Sequence, residues 1–255
     1  MTKDVKILGY QTSNAGLSGD IETAWQIINS GTTGNYVACT NPHSLVVARN
    51  DVFFSEALKK ADILLPDGIG IVLAAKILGL NLEERVAGYE FFTGLSQKAN
   101  ESNKKVKIFF LGSTEAVLDK IKDKLSRDYP NLVIVGSISP PFKPEFSDQD
   151  NESMISEINK VKPDVLWVGM TAPKQEKWIY QNKDKLNVPL MGAIGAVFDF
   201  YAGTKKRSSS WVCKLGIEWL PRLLREPRRL FKRNFISSPL FLIMVFKEKL
   251  GIKRS

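Results

Sequence analysis

Cysteine and histidine are nearly missing from this chain: Cys39, Cys213 and His43 are all that its 255 residues hold. Two cysteines so far apart make no disulfide framework, so a reducing compartment is expected. A single histidine excludes any cluster of histidine metal ligands. Long apolar runs are missing as well. The longest, LFLIMVF at 240–246, has seven residues, whereas a membrane-spanning helix needs roughly 20. The opening segment MTKDVKILGYQTS has no long apolar stretch and no small-residue cleavage site, so no secretory signal is expected. The sequence contains no GxGxxG, no helix-turn-helix or zinc pattern and no internal repeat. A dinucleotide fingerprint and the common nucleic-acid modules are thereby excluded. What remains is a protein that is soluble or lies on a membrane without spanning it.

Acidic residues are scarce in one place only. From Tyr201 onward there are 14 Lys/Arg against three acids, whereas the first 200 residues carry 22 against 24. The net charge of +9 therefore belongs to the tail. Hydrophobic content of 44% and charged content of 25% are those of an ordinary globule. A near-neutral body with a basic tail suggests that the body has its own task and the tail meets something anionic. The length suits one large α/β domain with an appendage, divided as 1–204 and 205–255. Removal of the tail is expected to leave a folded body.

The body alternates. Short β-rich runs lie at 36–40, 62–68, 105–113, 132–139, 164–170 and 188–200, with helical periods such as IETAWQIINS, GIGIVLAAKILGL and TEAVLDKIKDKLSRDY between them. The last has Ala116, Leu118, Ile121 and Leu125 on its apolar side and Thr114 in N-cap position. This order predicts an α/β, Rossmann-like, mostly parallel sheet with helices on both faces. The only polar linker is SPPFKPEFSDQDNES, at 139–153.

Open α/β sheets bind ligands at the carboxyl ends of their strands. Four runs end in residues able to do chemistry: Thr40, Asn41 and His43; Asp67 beside Gly68 and Gly70; Gly112 and Ser113; and Thr171, Lys174, Gln175 and Glu176. Each has a plain alternative. Asn-Pro and Pro-Asp-Gly are common turn chemistry, and Asp67 also suits a helix N-cap. Gly-Ser before a helix is a weak phosphate signal. His43 suits a helix start as well as a catalytic role. Asp148 and Asp150 form the Asp-x-Asp pattern of metal-dependent sugar-nucleotide enzymes, but within the linker rather than at a strand end.

Together TNPHS, LLPDGIGIV, RVAGYEFF, VGMTAPKQEKW, GAVFDFYAGTKKR and GIEWLPRLLREPRRLFKR resemble, in order, the signature blocks of the WecG/TagA/CpsF glycosyltransferases. The blocks run from about residue 40 to 233. The resemblance implies an inverting enzyme moving a sugar, N-acetylmannosamine in the best-known members, from a UDP donor to an undecaprenyl-diphosphate-linked acceptor. Such enzymes work on the cytoplasmic membrane face in wall teichoic acid or surface polysaccharide synthesis. Thr171 stands where glycine is frequent, and Tyr89-Glu90 where a small residue and Asp are common. These differences bear on the sugar, not on the reaction.

Inverting transfer needs a base for the acceptor hydroxyl and positive charge for the leaving diphosphate. Asp67 suits the base. Thr40, Asn41 and Gln175 are neutral hydrogen-bonders suited to sugar hydroxyls or an acetamido group. Arg85 reaches sugar or phosphate in this reading, with a solvated face as the alternative. Asp199, between Phe198 and Phe200, fits a structural or a substrate role equally. Without a convincing metal site, no cofactor is expected and arginines must meet the diphosphate. The stretch 218–234 holds six Lys/Arg among seventeen residues. At 100° per residue Arg222, Arg225, Arg229, Lys232 and Arg233 share one arc, although Pro221 and Pro227 interrupt it. Any one of them reads equally as a solvated basic face. By motif position Arg222 and Arg229, with Lys232 behind them, are the diphosphate candidates, on a tail that also holds an anionic membrane surface. The rivals are a nucleic-acid-binding protein with a basic arm, a nucleotide-dependent oxidoreductase and a non-catalytic nucleotide sensor. Few stacking aromatics in the arm oppose the first, and no nucleic-acid partner is expected. A homo-oligomer is left open.

Overall fold

β-Branched apolar runs alternating with amphipathic segments fold, in the computed structural model, into a parallel sheet with helices on both faces; the structure describes residues 4–82, 84–206 and 231–252. The six strands stand in the order β4 (Ile63–Pro66), β3 (Asn35–Thr40), β8 (Leu190–Ala193), β7 (Val165–Gly169), β5 (Lys107–Gly112) and β6 (Val133–Ile138). Every adjacent pair is parallel. β7 reads VLWVG and is buried at every residue, as a central strand covered on both faces must be. A separate antiparallel hairpin, β1 (Val5–Ile7) and β2 (Tyr10–Thr12), precedes the sheet. Its turn residues Leu8 and Gly9 both have positive φ, the geometry of a two-residue hairpin loop.

Helices sort by face. α2 (Pro42–Asn50), α3 (Val52–Lys59), α4 (Ile69–Leu78), α7 (Asp148–Val161), α8 (Lys174–Asn182) and α10 (Ser238–Lys249) share one core with Tyr36, Ala38, Leu166 and Met191. α1 (Gly16–Asn29), α5 (Gly88–Glu101), α6 (Glu115–Asp128) and α9 (Val197–Tyr201) share the other with Val37, Phe110 and Trp167. Trp167 is fully buried, with the rings of Phe91 and Phe92 edge-on to it at 6.3 and 5.3 Å.

Three local expectations are corrected. The run at 188–200 is a strand only to Ala193. Gly195, at φ 50, turns the chain, and Val197, Phe198 and Tyr201 enter the core from the short helix α9. Asp148 and Asp150 do not sit in a linker; they open α7, where Ser147 and Asp150 form a capping box. On α6 Val117, not Ala116, faces the core, and the Thr114 side chain makes no capping hydrogen bond. The end of the described chain also packs on the core. α10 buries Phe241 and Val245 in the same core as α2 and α4, and each burial stabilises by roughly 1.5–3 kcal/mol. Two hydrogen bonds fasten it further: the Leu8 N–H donates to Glu248 Oε1 at 3.2 Å, and His43 Nδ1 pairs with Ser237 Oγ at 2.8 Å.

Candidate active site

Parallel strands bring their carboxyl ends to one edge, where three groups of the expected residues lie. The first is at β3 and β4. The Asp67 N–H donates to the carbonyls of Thr40 at 2.8 Å and Leu65 at 3.0 Å, binding the two strand ends together. Thr40 is fully buried, and its Oγ1 has no hydrogen-bond partner among the described residues. Asn41 caps α2: its Oδ1 accepts from the Ser44 N–H at 3.0 Å, and the Asn41 N–H donates to Ser44 Oγ at 2.8 Å. That leaves the Nδ2 amide as the group Asn41 offers to a ligand. Asp67 is not the cap of α4, because Gly68 holds that position at φ 114 without a side-chain hydrogen bond. Its carboxylate is half-buried, and after burial itself its charge is the next cause that raises the Cys39 thiol pKa. The Val86 N–H donates to the Pro66 carbonyl at 3.1 Å, which carries the half-buried Arg85 to the same strand end.

The second group opens α8. Gln175 and Glu176 are both buried. The Met170 N–H donates to Gln175 Oε1 at 3.2 Å, and Gln175 Nε2 donates to Glu176 Oε1 at 2.9 Å. A Cβ on Gly195 would come within 3.3 Å of both amide atoms of Gln175, so the turn after β8 closes over this side chain only because it lacks one. Burial pushes the Glu176 carboxyl up to about 7, against the lowering effect of the Gln175 hydrogen bond.

The third group lies between β5 and β7. The chain leaves β5 outward to β6 and leaves β7 inward to β8, so these neighbours diverge and open the switch-point crevice where α/β sheets take ligands. Gly112, at φ 122, packs against the Gly169 carbonyl, and only glycine fits that approach. Ser113 follows at φ 58. The N-terminus of α6, without a side-chain cap, faces the crevice. The loop 139–147 spans it. Ser139 Oγ donates to the Ser113 carbonyl at 2.8 Å, while Lys174 Nζ donates to the Lys143 carbonyl and lies 3.5 Å from the Phe146 ring centroid. Beside Lys143, Phe142 is fully exposed.

Other expected residues lie elsewhere. Asp199 pairs with Lys205 at 2.9 Å and accepts from Thr204 Oγ1 at 3.2 Å, closing the end of α9. The Lys143 ammonium, with hydrogen bonds from Ser147, holds Asp150 down to about 2, so this carboxylate is committed to a helix start. Among the described residues no group of three or more His, Cys, Asp and Glu side chains could hold a metal ion. Arg222 and Arg229 lie outside the described residues; Lys232 begins a π-helical turn, Lys232–Ser237, that leads into α10. Sequence reasoning undervalued two features. Phe142 had a signal, an aromatic among three prolines. Glu176 was named among the strand-end residues, but its burial had no signal, since a glutamate in a first helical turn usually faces water.

Comparison with known proteins adds three findings. The family model described as Glycosyl transferase WecG/TagA/CpsF family matches residues 5–255. A Bacillus subtilis (strain 168) protein named N-acetylglucosaminyldiphosphoundecaprenol N-acetyl-beta-D-mannosaminyltransferase is 32% identical over 219 residues, covering 85% of this chain and 80% of its own. A Staphylococcus aureus (strain MW2) protein of the same name is 29% identical over 255 residues, covering 100% of this chain and 96% of its own.

Proposed function

Because the chain belongs to the WecG/TagA/CpsF family and is a glycosyltransferase, we propose that it moves N-acetylmannosamine, with inversion, from a UDP donor to N-acetylglucosamine on undecaprenyl diphosphate. The observation that carries the reading is the junction of β3 and β4, where one main-chain hydrogen bond sets Asp67 beside Thr40 and Asn41. The acceptor hydroxyl oxygen attacks the anomeric carbon as its proton passes to the Asp67 carboxylate. The bond from that carbon to the diphosphate oxygen breaks, and UDP leaves with the electron pair. Thr40, Asn41 Nδ2 and Gln175 hold sugar hydroxyls and the acetamido group. Gly112, Ser113 and the α6 N-terminus take the nucleotide side of the donor, with Phe142 as a ring for the base. Arg85, Arg222, Arg229 and Lys232 meet the diphosphate charge, so no metal is required.

The enzyme works at the cytoplasmic face of the membrane as a peripheral protein. No helix among the described residues is long and apolar enough to cross a bilayer. α10 instead exposes Leu240, Ile243 and Phe246 beside Lys247 and Lys249, an apolar patch with basic neighbours that suits an anionic lipid surface. The test is transfer from a panel of UDP-sugars to an N-acetylglucosaminyl-diphospholipid, with and without exhaustive chelation. Transfer of N-acetylmannosamine that survives chelation is expected. UDP binding without turnover on any donor refutes the reading, and activity restored only by Mn²⁺ or Mg²⁺ refutes its metal-free form.

A further inference from the structure

Glu176 is a buried carboxyl for which the transfer mechanism has no use. Only 2% of it is exposed; Oε1 accepts from Gln175 Nε2 at 2.9 Å, and Oε2 has no partner among the described residues. Burying an unpaired polar atom costs about 1–3 kcal/mol, so a residue of this kind needs a reason. An apolar side chain would fill the same space without that cost. The carboxyl lies beside β3. After burial and the nearer charges, Glu176 contributes to the raised pKa of Tyr36 and of Cys39, the residue before Thr40.

Its effect falls on Gln175. A glutamine amide has two similar ends and rotates freely unless its neighbours distinguish them. Here the Met170 N–H, which only donates, faces Oε1, and Glu176 Oε1, which accepts, faces Nε2. Rotation by half a turn would set donor against donor at Met170 and acceptor against acceptor at Glu176. One N–H of Nε2 is taken and the other is left. We propose that Glu176 is a positioning residue for donor recognition, fixing the Gln175 amide so that its remaining N–H meets the acetamido carbonyl of an N-acetylated donor sugar. This rests on Gln175 being a substrate-binding residue, as proposed above. Burial favours the protonated carboxyl; with the proton on Oε2, which has no partner among the described residues, Oε1 remains the acceptor for Gln175 Nε2. The amide of Glu176→Gln therefore reproduces what the wild-type group does.

The experiment compares UDP-N-acetylmannosamine with UDP-mannose as donors, by kcat/KM, for the full chain and its variants, with melting temperatures alongside. Gln175→Ala sets the reference loss of discrimination. Glu176→Met, of similar length and apolar, is expected to melt at or above wild type and to lose discrimination about tenfold, the size of one hydrogen bond. Adding it to Gln175→Ala should cost nothing more, because both act through one contact. Glu176→Gln should stay within about twofold of wild type. If Gln175→Ala loses discrimination but Glu176→Met keeps it, the positioning role is wrong and the site stands. If Gln175→Ala itself keeps it, both fall. A Glu176→Met protein that melts early while its folded fraction discriminates normally has lost only a structural residue, and the proposal is overturned. Loss of discrimination in Glu176→Gln overturns it equally.

Discussion

Opposite sides of α10 should answer to opposite assays. Phe241 is 1% exposed and lies in the core shared with α2 and α4. Truncating a buried Phe to Ala costs about 3–5 kcal/mol through lost transfer energy and the cavity left behind. For a chain of this size each kcal/mol lowers the melting temperature by about 2–4 °C, so Phe241→Ala should melt roughly 6–20 °C below wild type. Ile243, two positions on, is 52% exposed. Ile243→Glu should shift melting by no more than about 2 °C, as surface changes do. It sets a negative charge on the apolar stripe of Leu240, Ile243 and Phe246, and should sharply reduce co-sedimentation with anionic phospholipid vesicles. Thermal scanning and vesicle sedimentation on the two purified variants separate the effects. A Phe241→Ala protein that melts with wild type means that α10 is not docked as described. An Ile243→Glu protein that sediments normally means that the exposed stripe does not touch lipid.

Three further outcomes are expected. Asp67→Asn should cut turnover by roughly 10²–10⁴ with UDP affinity near wild type; a folded variant with most of its activity removes Asp67 as the base. Arg229→Ala should depress turnover with a soluble acceptor far more than vesicle binding, since one charge among 14 tail cations changes the lipid contribution by only about 1 kcal/mol; proportionate losses in both would make the tail a foot alone. Glu176 has a folded-state pKa raised from 4.5 to about 7, so its contribution to stability is fully present below 4.5 and is lost as pH rises through 7. Glu176→Gln should therefore match wild type near pH 4 and melt above it at pH 8; a constant difference across that range shows the carboxyl is not held protonated.

The sheet was legible because its strands are buried on both faces and read as unbroken apolar runs, DVLWVG above all. The hairpin at 5–12 was not, since Leu8 is no turn former; its positive φ is held by burial at 2% exposure and by Glu248, 240 residues away. The stretch after Ala193 read as strand because apolar content does not reveal where a glycine turns the backbone. At the candidate site, strand ends pointed to Thr40, Asn41, Asp67 and Gln175, because the carboxyl edge of a parallel sheet is fixed by chain direction. The identity of the cap of α4 was not legible: Asp67 and Gly68 are adjacent, and only backbone angles tell which one caps. The burial of Glu176 was hidden because it is a tertiary property of a residue in a first helical turn, beside Gln175, over which the Gly195 turn packs.

The bond between the Leu8 N–H and the Glu248 carboxylate joins the first hairpin to the last helix. In chain order the hairpin precedes its partner by 240 residues, so it is synthesised well before α10. At about 5–20 residues per second, the interval is tens of seconds or less. Until α10 has formed, the apolar surface that Phe241 and Val245 cover stays open to water.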